Sequence, residues 1–286
     1  MKFNNANGNN QTNLPKVTFA LLSYNQEAYV REAVEAALSQ DYQNLEIVIS
    51  DDCSMDNTYD VICDAVAGSS VHHQVILNKN ETNLGIGGNL NRIMELSSGD
   101  FIVVAAGDDI SVAHRVTAMI EHWMKLDCKC KSIFSGVELI DQDGAVLQER
   151  LRKYDGNPYE VIKNELMIEG ASHGWDRAIF DFFGPLRDDL IAEDMVLPMR
   201  SMLLGGVERV DACLVKYRQC ESEWKKVGRG KSDARDAVMQ ARHKGGLSKY
   251  TAFSQMIEDV GLCIQERGGG EGLSNCLLYT SDAADE

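Results

Sequence analysis

The sequence predicts an α/β fold, with a mostly parallel central sheet flanked by helices. Three observations carry that prediction. Short apolar, β-rich runs alternate with segments of helical period four times between residues 17 and 126, and such alternation builds a parallel sheet with helices on its faces. Several runs end in polar clusters, at the strand ends where ligands of such sheets bind. Hydrophobic residues make up 44% of the 286, enough to bury the core of one large domain, with or without an appended helical piece.

Residues 17–22 (VTFALL) read as a buried strand. Residues 28–38 place Val30, Ala33, Val34, Ala37 and Leu38 on one helical face. Residues 45–50 (LEIVIS) form a second strand that ends in Asp51-Asp52. A helix over 58–66 follows, with Asp56 or Asn57 as its cap. A short strand at 75–77, a glycine-rich loop and a helix over 88–96 come next. The fourth strand, 101–105 (FIVVA), runs straight into Gly107-Asp108-Asp109, and a helix spans about 113–126.

The second half is less regular. Residues 132–147 read as strand, turn, strand around Asp143-Gly144. Helices are expected over 158–167, 194–204 (despite Pro198), 231–243 and 249–267. Short strands are expected at 207–210 and 214–217, and 170–184 is mixed and aromatic.

The formal net charge of -16 argues against nucleic acid as a partner, because such a surface repels a phosphate backbone. The eight cysteines include one close pair, Cys128 and Cys130. That spacing fits no common zinc motif, so they read as mostly buried thiols in a reducing compartment. No apolar run reaches the roughly 20 residues that span a bilayer.

Two acidic pairs at strand ends carry the chemistry. Adjacent carboxylates such as Asp108 and Asp109 repel unless a cation or solvent compensates. A hard divalent ion, Mn²⁺ or Mg²⁺, would do so while bridging to phosphates. The alternative is a solvated turn that caps the next helix. Asp51-Asp52 has the same two readings, as a helix cap or as a reader of a base or ribose. Glu193-Asp194 opens a helix, where it either complements the macrodipole or supplies a general base.

In their order, these residues resemble glycosyltransferase family 2, the large inverting family with the GT-A nucleotide-diphospho-sugar transferase fold. The resemblance runs from residue 17 to about 218. It rests on Tyr24-Asn25, the DDCSMD run from Asp51, Asn83-Leu84-Gly85 with Asn91, Gly107-Asp108-Asp109 with Arg115, Glu193-Asp194, Arg200 and Tyr217-Arg218. The resemblance implies that Asp52 contacts the donor base, with Ser23, Tyr24, Asn25 and Glu27 lining the same pocket. It assigns Asn83, Gly85, Asn91 and Arg115 to donor binding. Asp108 becomes the ligand of Mn²⁺ or Mg²⁺, and Asp109 faces the donor sugar. Asp194 becomes the base, with Glu193 in support. Ala106 stands where many relatives have a first metal-site Asp, and Cys220 where many have His.

The implied reaction moves a sugar from a UDP- or dTDP-linked donor to a hydroxyl of a saccharide or lipid-linked saccharide, with inversion, in cell-surface glycan synthesis. Two rival readings are a catalytically impaired donor-binding homologue and a sugar-phosphate nucleotidylyltransferase. His173, Trp175 and Asp176 are expected along the acceptor wall. A cytoplasmic location is expected, with peripheral association at the inner membrane face left open. The expected organisation is a disordered leader over 1–14 and a GT-A domain over 15–225, divided into nucleotide (15–127) and acceptor (128–225) halves. A helical extension over 226–267 and an unstructured stretch over 268–286 follow. Residues 276–286 resemble a translated sequencing adapter, and the natural chain is expected to continue past residue 275.

Overall fold

The computed structural model describes residues 14–70, 72–154, 156–157, 160, 168–219 and 234–267. The leader up to residue 13, nearly all of the helix expected over 158–167, Cys220, and the tail from residue 268 lie outside these. The first half comprises β1 (Val17–Ser23), α1 (Val30–Leu38), β2 (Leu45–Asp51), α2 (Thr58–Ala67), β3 (Gln74–Lys79), α3 (Gly85–Leu96), β4 (Phe101–Ala106), β5 (Ile110–Ser111) and α4 (Arg115–Lys125). The second comprises β6 (Ser132–Ile140), β7 (Val146–Arg150), a 3₁₀ turn (Gly170–Ser172), β8 (His173–Asp176), α5 (Ala178–Phe183), α6 (Glu193–Leu204), β9 (Val207–Arg218) and α7 (Ala234–Arg267).

The strands form one sheet in the order β3-β2-β1-β4-β8-β6-β9-β5, with β7 paired to β6. The first four are parallel. Beyond β4 the sheet is mixed: β8 is antiparallel to both β4 and β6, and β9 is parallel to β6. The chain builds outward from β1 to β3 and then crosses back to lay β4 on the other side of β1. That reversal opens a crevice at the carboxyl ends of β1 and β4. Register sets those ends flush, because Ser23 lies opposite Asp51 and Leu22 opposite Ala106.

Side chains alternate across the sheet. Phe19, Leu21, Ile47 and Ile49 join a core with residues of α1, α2 and α4. Ala20, Val48, Ile102 and Val104 join a second core with residues of α3, α5, α6 and α7.

Several elements differ from the sequence reading. The glycines expected in a loop form the first turn of α3, because bulk is excluded there. A Cβ on Gly87 would lie 3.0 Å from the Arg187 carbonyl oxygen, and one on Gly88 would lie 2.8 Å from Leu84 Cβ. The two strands expected at 207–210 and 214–217 are one strand, β9, with a bulge: Ser135 pairs with Val210 but Gly136 with Cys213. The helix expected at 249–267 belongs to a longer one, α7.

At the amino end of β2, Glu46 is 1% exposed. Its carboxylate accepts from Thr18 Oγ1 at 2.7 Å, Ser98 Oγ at 2.8 Å, Gly99 N at 3.1 Å and the Lys16 ammonium. It thereby ties β1, β2 and the approach to β4 together at the edge opposite the crevice. Burial alone would raise its pKa, but these bonds outweigh burial and hold it at about 2 instead of 4.5. A lowered carboxyl pKa adds stability above the ordinary value that is lost as pH falls through the folded one. Replacing Glu46 with Gln is therefore expected to cost about 3 kcal/mol at pH 7. Urea unfolding should show the gap to wild type closing between pH 4.5 and 2. A gap unchanged at pH 2 would mean that shape, not charge, carries the effect.

Candidate functional site

Short polar side chains close the rim beyond β1 and β2. Asp51 is fully buried, and its carboxylate accepts from Ser54 N at 2.9 Å and Ser54 Oγ at 2.5 Å. Asn25 and Cys53 take left-handed backbone conformations, with φ of 51° and 60°. Those reversals bring two loops into register. Asn25 N donates to Ser54 Oγ at 2.9 Å, Met55 N to Asn25 Oδ1 at 2.9 Å, and Gln26 N to Thr58 Oγ1 at 2.7 Å. Glu27 accepts from both Asn57 N and Asn57 Nδ2 at 2.9 Å. Ser23 is buried beside Asp51, and Tyr24 is exposed at the lip.

Asp52 follows Asp51 just past the end of β2, 4% exposed. Its Oδ1 accepts from Asn80 Nδ2 at 2.9 Å and Leu84 N at 2.8 Å, which ties the end of β2 to the start of α3. Asn83 accepts from Gly85 N at 3.0 Å, and Gly85, at φ 74°, turns the chain into the helix. Ser23, Tyr24, Asn25, Glu27, Asp52, Asn83 and Gly85 therefore share one continuous rim.

Beside this rim lies a cavity of about 380 Å³. Asp108 and Asp109 line it from the end of β4, and Glu193 and Asp194 from the start of α6. Ile86, Gly170, Ala171, Ile191 and Tyr217 complete much of its wall. Gly107 makes the acidic turn possible. A Cβ there would come within 2.4 Å of Gln26 Oε1 and 3.1 Å of Ser23 Cβ.

Electrostatics follow from four carboxylates lining one cavity. Burial, reinforced by the charge of Asp108, pushes Asp109 up to about 8. Asp108 is also raised by burial, against the lowering influence of Arg218 and Gln26. Burial and the charge of Asp194 push Glu193 up to about 8. Asp194 is raised by burial, but backbone N–H groups at its own position and at Met195 oppose the rise. Tyr217 is pushed up to about 12, by burial first and then by Asp109 and Asp108.

Arg218, 5% exposed, supplies a counter-charge to both Asp108 and Asp109, and the sequence reading gave it no role in the site. Its backbone N donates to Asp109 Oδ1 at 2.8 Å, and its Nε to the Asp108 carbonyl at 2.9 Å. The guanidinium also reaches the Gln142 carbonyl at 2.9 Å, pairs with Glu32 and lies 4.7 Å from the Tyr29 ring centre. It thus holds the acidic turn in place from behind. Its only sequence signal was its place beside Tyr217 in the motif.

Three expectations are corrected. Arg115 is fully buried and donates to Ser111 Oγ at 2.9 Å and the Val104 carbonyl at 2.8 Å. It reaches the site only through its charge near Asp109 and touches no open surface. Asn91 spends its amide on the main chain of Leu186, at 2.8 Å to both N and O, and does not line the cavity. His173, Trp175 and Asp176 form β8, not an acceptor wall. Because β8 runs antiparallel to β4, Asp176 lies opposite Phe101, at the edge away from Asp108, and pairs with Lys131. Trp175 is core and His173 is buried, whereas Gly170 and Ala171, just before them, take the wall.

Among the described residues, no group of three or more His, Cys, Asp or Glu side chains is arranged to hold a metal ion. The acidic turn still fits a hard cation. Burial raises both carboxylates, and the charge of Asp108 raises Asp109 further, so a bound cation would favour their ionised forms. Mg²⁺-type sites commonly take one or two carboxylates and fill the remaining positions with phosphate oxygens and water.

The glycosyl transferase family 2 model matches residues 18–157. The putative teichuronic acid biosynthesis glycosyltransferase TuaG of Bacillus subtilis (strain 168) is 27% identical over 154 residues, 54% of this chain and 59% of that protein. The chain spans 21%, 37% and 59% of the length of the first three curated relatives. S. aureus TarS 1-349 in complex with UDP-GlcNAc shares the fold, with a TM-score of 0.58 at 16% identity over 94% of this chain and 88% of that one. So does the mannosyltransferase PcManGT from Pyrobaculum calidifontis, in complex with GDP-Man and Mn²⁺, with a TM-score of 0.57 at 15% identity over 96% and 82%. The α/β architecture is therefore that of the GT-A glycosyltransferases, and through residues 18–157 the chain belongs to glycosyl transferase family 2.

Proposed function

We propose that the chain transfers a sugar from a nucleotide-diphospho-sugar, UDP- or dTDP-linked, to an acceptor hydroxyl with inversion, in the synthesis of a cell-surface polysaccharide. The observation that carries this reading is the single cavity that sets Asp108 and Asp109 against Glu193 and Asp194. The UDP-GlcNAc and GDP-Man bound by structural neighbours support the donor class, and the teichuronic acid assignment of TuaG supports the polysaccharide role. On this reading residues 15–127 hold the donor, residues 128–225 shape the acceptor side and residues 226–267 are a helical extension. No helix among the described residues is long and apolar enough to cross a membrane. The enzyme is assigned to the cytoplasm, where it meets a saccharide or lipid-linked saccharide at the inner membrane face.

Roles follow from environment. Ser23, Tyr24, Asn25, Glu27 and Asp52 receive the nucleoside, with Asn83 and Gly85 shaping the loop beside it. Asp109 accepts from donor-sugar hydroxyls. Asp194 is the base. Burial makes its carboxylate more basic, while N–H groups at the start of α6 limit the rise. Glu193, pushed up to about 8, retains a proton at neutral pH and leaves the negative charge on its neighbour. Asp194 then removes the proton of the attacking hydroxyl as the anomeric bond to the diphosphate breaks. A Mn²⁺ or Mg²⁺ ion held by Asp108 would offset the charge that develops on the diphosphate.

Replacing Asp194 with Asn is expected to lower kcat by ~10²–10⁴-fold. Calorimetry with UDP and Mn²⁺ should show donor-side affinity nearly unchanged, and an equal loss of UDP binding would remove the base assignment. Excess chelator is expected to abolish transfer and Mn²⁺ to restore it, whereas full turnover in chelator would exclude the metal. A raised carboxyl favours the fold while protonated, an advantage lost as pH climbs from 4.5 through about 8. Thermal melting of the metal-free protein should therefore weaken from pH 5 to 8, and less steeply in Glu193→Gln. Identical slopes would mean that Glu193 is not the titrating group.

A further inference from the structure

α7 lies outside the matched family segment and carries a buried polar stripe. Thr251, Gln255 and Asp259 are 2%, 5% and 2% exposed. Their spacing of four puts them on one helical face, beside Ala252, Met256, Val260 and Cys263 in the apolar core. Gln255 accepts from the backbone N of Arg187 at 2.9 Å and donates to Asp259 at 3.2 Å. Asp259 takes both arms of the fully buried Arg200 of α6, at 2.7 Å and 3.0 Å. Arg200 in turn donates to the carbonyls of Gly184 at 2.8 Å and Pro185 at 3.3 Å, and lies over the rings of Phe180 and Phe183.

With Asn91 on Leu186, every residue from 184 to 187 is gripped through its main chain. That segment leads directly to Ile191, Ala192, Glu193 and Asp194 in the cavity wall. α6 is not stiffened internally at this point. Pro198 lacks the N–H that would bond the Asp194 carbonyl, so the first turn of the helix misses a bond. Stability does not account for the ion pair, since apolar replacements of buried pairs are often neutral or stabilising.

We propose that Gln255 and Asp259, the latter through Arg200, are positioning residues that fix the aim of the Glu193–Asp194 pair. The proposal rests on the reading of Asp194 as the base. The test uses the full chain with three variants: the apolar swap Arg200→Met/Asp259→Leu, Asp259→Glu, and Gln255→Leu. For the swap, the expected result is an unchanged or higher thermal midpoint, UDP affinity with Mn²⁺ within about twofold, and kcat lowered at least ~tenfold, as small misplacements of reacting groups do. Asp259→Glu, which keeps the pair, is expected to retain most of the wild-type kcat. Gln255→Leu is expected to lower kcat by about threefold with UDP affinity intact, a size in keeping with the loss of one hydrogen bond. It decides the matter if the swap does not fold. A folded swap variant, or Gln255→Leu, with wild-type kcat would overturn the proposal. Amide exchange gives a readout free of chemistry: residues 184–194 should exchange faster in the variants while β1–β4 do not. Unchanged exchange there refutes positioning even if wild type transfers no sugar, whereas faster exchange with an inactive wild type refutes only the base assignment.

Discussion

Like charges confined in a small space are the constraint around which this molecule is organised. Four carboxylates share one cavity in a chain whose net charge is already -16. Burial removes the water that would screen them, so Asp109 and Glu193 are driven to hold protons. The surrounding structure acts against that pressure with fixed positive dipoles and two buried cations, Arg115 and Arg218. Arg218 grips the acidic turn through main-chain bonds, and the N–H groups that open α6 face Asp194. What remains is a demand for positive charge inside the cavity, which a ligand with a counter-ion satisfies better than protons do.

The first half of the fold was legible because each strand signals itself locally. VTFALL, LEIVIS and FIVVA are largely apolar, as buried parallel strands are, and their polar exits mark the crevice without reference to any contact. The acidic pairs were visible for the same reason. The second half was harder because its information is long-range. β8 is only four residues long, and its antiparallel pairing sends Trp175 and Asp176 to places that no periodicity encodes. Arg115 and Asn91 sit in motif positions, yet their side chains are used up by neighbouring backbone groups. A motif specifies that a residue matters and leaves open whether it touches the ligand or holds something that does.

The two cores divide labour along the same line. The core of α1, α2 and α4 backs the polar rim beyond β1 and β2 with apolar packing. The other core carries α6 and its acidic start, and there apolar packing is interrupted by the Arg200–Asp259 pair and Gln255. Apolar contacts are non-directional and tolerate sliding, whereas a forked guanidinium on a carboxylate admits little. A bond of that kind ties α7 to α6 on the side of the sheet that carries the acidic start of α6.

The bulge in β9 carries a different kind of information. Between Val210 and Val215 the strand gains three residues on its partner β6, since Ser135 pairs with Val210 but Val137 with Val215. An odd gain inverts which side chains face which side of a sheet. Tyr217 reaches the cavity, and Arg218 turns behind the acidic turn, because of that parity. In this strand the count of residues is itself a functional trait. Adding or removing one residue here would exchange the faces of Tyr217 and Arg218, whereas a substitution of similar size inside the bulge would leave them where they are.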